Sequence, residues 1–530
     1  MNSGIQKKIQ EIESRSILQE IARRAMLQRG LLADFSRQAQ AELDEISAPA
    51  LIDSAPQARD CRGLLWCSID NDDSEDLDQL TVAEEMGEGR VRIRVAVADV
   101  DALVRKDSAI DRDAQHNTTS VYTAGQIFPM LPLKLSTNYS SLNYNQDRLA
   151  IVVDMVVGPD GSLQQSDVYR AAVRNHAKLA YNSLAVWLEA RAKAEGVRNG
   201  EEKKKETKDE IKDAEPPAAA AAVPGLLDNL LLQDLVAQRL KELRHAGGAL
   251  SLETIEAKPV FEGGRILDLQ VEEKNRAKEI IEDFMIAANG VTVRYLADRG
   301  IPSIRRVVRI PKRWDRIVQI AAEHAFKLPK NPSSRKLEIF LTMMKKADPL
   351  RFPDLSLVII KLLGNGEYVA EKPGEEAAGH FGLAVKDYTH STAPNRRYAD
   401  LITGRLLKAA MEGRPVPYTL EELEALAYNC TRKEDAAVKV ERQVGKSAAA
   451  LLLKERIGEQ FQSVVTGAAE KGTWVRLLDL PVEGMLKKGS KGVDVGDQIR
   501  VELISVDVEQ GFIDFKRVGS IMKNSLSNEE

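Results

Sequence analysis

The sequence predicts an α+β multidomain protein: a small helical segment, a large domain of mixed β-sheet and helices, and a small β-barrel of the OB type. Three observations predict it. Apolar residues recur at helical spacing through residues 1–57. Strict apolar/polar alternation marks strands in the next hundred residues. Short strands separated by glycine turns fill 457–517.

In the first segment Ile5, Ile9, Ile12, Leu18, Ile21, Ala22, Met26 and Leu27 recur among charges, and a turn-like break follows at Ser54-Ala55-Pro56. The segment reads equally as a helix-turn-helix module or a plain packing arm. From 58 to 172 the pattern is mostly strand. Residues 90–100 alternate as a half-buried strand does, and 151–157 form another, ended by Gly158-Pro159-Asp160-Gly161. The stretch 192–225 is rich in Lys, Glu and Ala, with Pro216-Pro217 and Pro224-Gly225. It offers too little apolar surface to offset its ordering entropy, so a disordered insertion is expected there, inside one large domain spanning 58–455. Helices return at 226–246 and 274–299, the latter with an apolar stripe of Ala277, Ile280, Ile281, Phe284, Met285 and Ala288. A further helical region, 395–455, breaks near 413–417. The barrel occupies 456–520, and 521–530 is a tail.

At 530 residues, with 43% hydrophobic and 29% charged residues, the chain has material for several soluble domains. No run approaches a membrane span, and the N-terminus lacks the apolar core of a signal peptide. Cys61, Cys67 and Cys430 are too scattered for a disulfide framework, and the six histidines do not fall at zinc-ligand spacing. A cytoplasmic, monomeric protein with no obligate protein partner is expected. The net charge of −5 means that a polyanionic substrate would need local basic surface or bound cations.

Residues 68–80 read Ser-Ile-Asp-Asn-Asp-Asp-Ser-Glu-Asp-Leu-Asp-Gln-Leu. So many carboxylates repel one another without cations. Asp76 and Asp78, two apart on an extended chain, face the same way, and Asp70 can close back on them through a turn at 72–74. An EF-hand is excluded, because its position six would be Glu75 and its position twelve Thr81. A solvated acidic turn and an oxygen-ligand site for a hard divalent cation both remain.

The ordered motifs around this segment resemble the RNase II/RNase R family and its RNB domain. That family carries aspartates in a pattern like D-x5-D-x-D-D. Asp70, Asp76 and Asp78 match three of them, and Gln79 stands where the fourth is expected. Ala96-Val97-Ala98-Asp99-Val100, Ser120-Val121-Tyr122, Pro129-Met130-Leu131-Pro132, Ser141-Leu142 and Asp147-Arg148 follow in order. Downstream, His380-Phe381-Gly382-Leu383 and the run from Tyr388 to Asp400 resemble the family's second signature. Phe461, Gly467, Gly472-Thr473-Trp474-Val475, Glu483-Gly484 and Ile513-Asp514-Phe515 resemble an S1 RNA-binding domain. The family often has cold-shock barrels before the RNB domain, and the N-terminal segment here is too short for two.

The resemblance implies a processive 3′-to-5′ exoribonuclease that hydrolyses single-stranded RNA to nucleoside 5′-monophosphates. Asp70, Asp76 and Asp78 would hold Mg²⁺, with Mn²⁺ able to substitute, in a two-metal arrangement with ions about 3.5–4 Å apart. Asp78 and Arg396 would be catalytic, Arg396 offsetting charge on the scissile phosphate, held by Asp400 one helical turn on. Tyr122 would stack on bases near the 3′ end with Phe261 as the opposing clamp, and Glu441 would meet a sugar hydroxyl. Trp474 would stack on RNA or pack the barrel. Gln79 would orient a metal-bound water, or its missing charge would leave a weakened or inactive RNA-binding protein.

Overall fold

The computed structural model describes residues 2–519, except 51, 53, 54, 56, 199–213, 254–256, 263–264, 272–273, 350, 376–378, 470–471 and 494–496. The chain opens with helices α1 (Asn2–Gln28) and α2 (Arg37–Glu45). The strands that follow are β1 (Arg59–Asp60), β2 (Cys67–Asp70), β3 (Gln79–Gly87) and β4 (Arg90–Ala98). After helix α3 (Ala109–Asn117) come the two-residue hairpin strands β5 (Val121–Tyr122) and β6 (Ile127–Phe128), then β7 (Asp147–Val157), β8 (Leu163–Arg174) and β9 (Ala177–Ala180).

Seven of these strands form one sheet in the order β1-β8-β7-β4-β3-β2-β9. Its centre is antiparallel, and β1 and β9 join the edges in parallel. The turn Gly87-Glu88-Gly89 links β3 to β4 with three consecutive positive φ values, 78°, 55° and 72°, which two glycines make inexpensive. The alternating runs read from the sequence are β4 and β7. Both are buried on nearly every residue, because helices cover the sheet.

Helices α4 (Tyr181–Arg198), α5 (Ala218–Ala221), α6 (Leu226–Ala246) and, beyond a hairpin of β10 (Ala257–Glu262) and β11 (Arg265–Val271), α7 (Arg276–Ala297) pack around this sheet. The expected disordered insertion at 192–225 therefore needs correction where it is described. Its first residues extend α4, and the alanine run coils into α5, with Ala220 fully buried in the main core. Small side chains let that short helix approach β9 closely. Residues 199–213 lie outside the described part.

A helical lobe follows: β12 (Ser303–Val307), α8 (Trp314–Glu323), α9 (Ser334–Ala347), α10 (Phe352–Leu363) and β13 (Glu367–Glu371), with a core of its own around Trp314, Phe340 and Phe352. Helix α11 (Tyr398–Glu412) stops at Gly413, where φ is +61°. Helix α12 (Leu420–Leu453) starts from a capping box of Thr419 and Glu422 and runs 34 residues. Its last turns carry Ala449, Ala450 and Leu453 into the core of a closed barrel. That barrel is built from β14 (Gln460–Ala469), β15 (Gly472–Leu477), β16 (Glu483–Lys488), β17 (Gln498–Asp507) and β18 (Phe512–Arg517), the five-stranded closure expected of an OB fold.

The N-terminal helices do not stand apart. Leu18, Ile21, Ala22, Ala25 and Met26 of α1 pack against Ala437, Val440, Val444 and Ala448 of α12, with Val121 and Phe128 of the small hairpin between them. This favours the packing-arm reading of the first segment.

Candidate active site

Strand β2 ends at Asp70, and the acidic loop 71–78 leads into β3. The Asp70 carboxylate accepts hydrogen bonds from Asn71 N at 2.7 Å and Ser74 Oγ at 2.9 Å, which fold the loop back on itself. Ser141 fixes the far side of the loop. Its Oγ accepts from Leu77 N (3.0 Å) and donates to Glu75 O (2.9 Å). A π-helical turn, Lys134–Tyr139, delivers Ser140 and Ser141 to this position.

Asp78 is the pivot. It is 1% exposed, and its carboxylate accepts from Asn395 N at 2.9 Å and Arg396 Nε at 3.2 Å. The second sequence signature is thus bonded directly to the first. Burial pushes the Asp78 carboxyl up to about 7; Arg396 pulls it down, and the charge of Asp76 pushes it further up. Asp76 is also raised, by burial first and then by Asp70, while Arg396 works against the shift. Burial disfavours the Arg396 cation, but Asp78, Asp70 and Asp76 outweigh it and hold the guanidinium protonated. The three aspartates and one arginine therefore share a single electrostatic neighbourhood.

Tyr122 stands over it. It is 41% exposed, and its hydroxyl donates to Asp76 Oδ2 at 3.2 Å. Its backbone N–H donates to Glu441 Oε1 of α12 at 2.8 Å. The hairpin carrying Tyr122 turns at Gly125, where a Cβ would lie 2.7 Å from the Leu18 carbonyl carbon of α1. Only glycine lets the hairpin sit this close to the N-terminal helix. Ser120 N donates to Arg396 O at 2.9 Å, so the same segment also holds the arginine's backbone.

One expectation changes, and one of two open alternatives falls away. Asp400 does not hold Arg396. Helix α11 begins at Tyr398, later than expected, and Asp400 pairs with Arg397 at 2.7 Å, leaving Arg396 to Asp78. Trp474 does not fill the barrel, whose interior is built by Val475, Phe515 and their neighbours. It lies half-exposed on the outer face, over Gly467 and Gly472, where added Cβ atoms would come within 3.4 Å of its ring. Phe261 lies in β10 opposite Ile266, away from the residues above in sequence, and its side chain is outside the described residues. Gln79 opens β3 opposite Val97 and is buried. Among the described residues no hydrogen bond ties its amide to the aspartates.

Sequence reading gave no role to Asn395, whose amide N–H holds Asp78 and whose Oδ1 accepts from Ser140 Oγ at 2.6 Å. Its Nδ2 is buried without a partner. Asn395, Ser140 and Ser141 all lie in or beside the recognised motifs, but a backbone donor leaves no mark in side-chain chemistry.

Among the described residues, no three Asp, Glu, His or Cys side chains close into a cation cage. The donor chemistry still fits a hard divalent ion: oxygen ligands only, carboxylates whose charge burial disfavours at Asp76 and Asp78, and one arginine opposing three aspartates.

Residues 58–413 match the RNB domain family, and 459–518 match the RNase II-type exonuclease C-terminal S1 domain. Ribonuclease R of Aquifex aeolicus is 29% identical over 492 residues, covering 88% of this chain and 66% of its own. The chain thus spans less than two thirds of that relative, and 56% of the Vibrio parahaemolyticus ribonuclease R. Mycoplasma genitalium RNase R, solved with ribose-methylated single-stranded RNA, superposes with a TM-score of 0.79 at 22% identity, covering 94% of this chain and 77% of that one. A yeast pseudonuclease has the same fold at a TM-score of 0.62 and 14% identity, covering 86% and 54%. With about two thirds of its length inside the RNB domain match and Asp70, Asp76, Asp78 and Arg396 meeting at one site, the chain belongs to the RNB domain family.

Proposed function

We propose that this chain is a processive 3′-to-5′ exoribonuclease that hydrolyses single-stranded RNA to nucleoside 5′-monophosphates, with 58–455 as the catalytic unit and 456–520 as an RNA-binding barrel. The observation that carries the reading is the buried Asp78, joined to Arg396 across 318 positions of chain beneath an exposed tyrosine. Asp70, Asp76 and Asp78 would hold a divalent cation, Mg²⁺ by ligand type, with Mn²⁺ able to substitute. When bound, that ion supplies Lewis-acid stabilisation and a more acidic water.

The chain's own residues do the rest. Arg396 presents the remainder of its guanidinium to the phosphate undergoing attack, and Asp78 fixes its orientation. Tyr122 offers a ring face to a base near the 3′ end. Glu441 holds the hairpin through Tyr122 N, and its carboxylate would meet a sugar hydroxyl, the contact that separates RNA from DNA. Trp474, on the outside of the barrel, is free to stack on RNA. No helix of the described residues is long and apolar enough to cross a membrane, and we assign the protein to the cytoplasm as a monomer.

Gln79 supports a second reading, a weakened or inactive RNA-binding protein. A neutral amide is a poorer ligand for Mg²⁺ than a carboxylate, and a structural neighbour is a pseudonuclease. The two are separated by incubating 3′-tailed single-stranded RNA and matched DNA with the protein and Mg²⁺. The enzyme reading expects mononucleotides from RNA alone. Tight RNA binding without any release would select the second reading.

A further inference from the structure

On the flank of α12 away from Tyr122, a cleft of about 450 Å³ lies between α1, α12 and the barrel turn joining β17 to β18. Its walls carry Arg24, Arg29, Lys439, Arg442 and Lys446 against a single carboxylate, Glu509. Arg24 pairs with Glu509. Lys439, Arg442 and Lys446 make no ion pair among the described residues, and Arg29 donates only to Ala25 O. In a chain of net charge −5 this is a concentrated positive field.

The placement follows from helix geometry. Lys439, Arg442, Gln443 and Lys446 recur at i, i+3, i+4 and i+7 and share one face of α12. Val440, Val444 and Ala448 form the seam with α1, and Glu441 reaches the Tyr122 amide beyond that seam. The barrel is seated tightly here: a Cβ on Gly511, φ +66°, would lie 2.7 Å from Lys446 Cβ. The next residue, Phe512, is 60% exposed. Unpaired cations lining a groove, with an exposed aromatic beside it, suit an extended single strand better than a folded protein surface. Phosphates meet the Lys and Arg heads, and bases have a ring to stack on.

We infer that this cleft is a second RNA site, which binds the phosphate backbone of long single-stranded RNA outside the catalytic cleft. It rests on the reading of the protein as an RNA nuclease. It differs from the catalytic site in needing no metal and no 3′ end.

The test uses the full-length chain, the wild type and a K439E/K446E variant, with K439Q/K446Q as a milder control for folding. Three quantities are read: affinity for a long single-stranded RNA across a salt series, affinity for the same RNA circularised, and turnover of a short oligoribonucleotide. The inference expects both charge variants to weaken long and circular RNA, the reversal more than the neutralisation. The salt slope for long RNA should flatten by about 1.4, for two lost phosphate contacts on single strands. Short-oligonucleotide turnover should stay at wild-type level. If the wild type turns over no oligonucleotide, the nuclease reading fails while the binding arms still judge the cleft. Unchanged affinity and slope for long RNA in K439E/K446E, including the case where only an acidic protein partner is lost, would overturn the inference.

Discussion

Two ionic clusters, one just before β3 and one just after β4, are balanced differently. In the first, Asp99, Asp101 and Asp111 face Arg170, Lys408 and Arg405. Lys408 bridges Asp99 and Asp101 at 2.9 and 2.8 Å, and Arg405 bridges Asp101 and Asp111 at 2.8 Å each. Three buried or half-buried aspartates meet three bases, and Glu412 reaches Arg170 at 3.8 Å from the rim. Burial would raise the Asp101 carboxyl, but Lys408 and Arg405 overcome it and hold it below its ordinary value. In the second cluster Arg396 is the one cation that Asp70, Asp76 and Asp78 share among the described residues, and Asp78 is pushed up to about 7. Side chains neutralise one set of carboxylates, and the other is left short of positive charge. The balanced set ties α11 to the sheet. The unbalanced set is the one that the proposed function completes with a cation and a phosphate.

Mutations should partition accordingly. Asp78→Asn should bring mononucleotide release to background while RNA binding persists, as read by product analysis alongside a binding isotherm. Arg396→Ala should lower turnover by about 10²–10³-fold, the usual loss when a group facing developing charge is removed. Its melting temperature should move less than that of the Arg405 variant below, because the Arg396 side chain is 44% exposed and the Asp78 left unpaired, already pushed up to about 7 by burial, can keep its proton. Arg405→Ala should do the reverse. It takes the cation from the buried Asp111 and one of two cations from Asp101, and should cost about 3–5 kcal/mol in denaturant unfolding. An Arg405→Ala chain as stable as wild type would remove the contrast between the clusters.

The pH dependence of the metal-free protein gives a smaller effect. Asp78 titrates near 7 when folded against an ordinary value of 3.8. Between those values the folded chain binds more protons than the unfolded chain, so this group's contribution to stability falls as pH rises from about 4 to about 7 and is level above. Saturating Mg²⁺ should therefore raise the melting temperature more at pH 8 than at pH 5. A binder at one hundred times its Kd adds about 2.7 kcal/mol. Tyr122→Ala should weaken RNA ending at the site by about 1–3 kcal/mol, with Tyr122→Phe keeping most of the affinity because the ring remains. The smallest change is expected from Gln79→Asp. A fourth carboxylate deepens the imbalance, so Mg²⁺ affinity and activity should hold or rise, measured by metal titration of turnover.

Much of this was legible in the residues. Alternation over 90–100 and 151–157 is carried by backbone pairing and survives as β4 and β7. Helical stripes locate α6 and α7, and glycine-punctuated strands locate the barrel. What was hidden depends on partners far along the chain. Alanine-rich sequence next to lysines and glutamates reads as unstructured, yet Ala220 is buried because α5 finds β9 and α6. The pairing of Asp400 with Arg397 turned on where α11 begins, a matter of two or three residues that helical periodicity does not fix. Asn395 acts through a backbone N–H, which every residue but proline possesses. The seat of Tyr122 depends on Gly125 meeting α1, a contact between segments with no shared motif.

The most direct measurement is a calorimetric titration of metal-free protein with Mg²⁺ near pH 7, in two buffers of different ionisation heat. Wild type should bind with release of protons, because the partly protonated Asp78 must ionise. Asp78→Asn should lose most of both the affinity and the proton release, while a variant in the balanced cluster that still folds keeps them. Identical isotherms for wild type and Asp78→Asn would contradict the account, since the cation would then be bound elsewhere or not required.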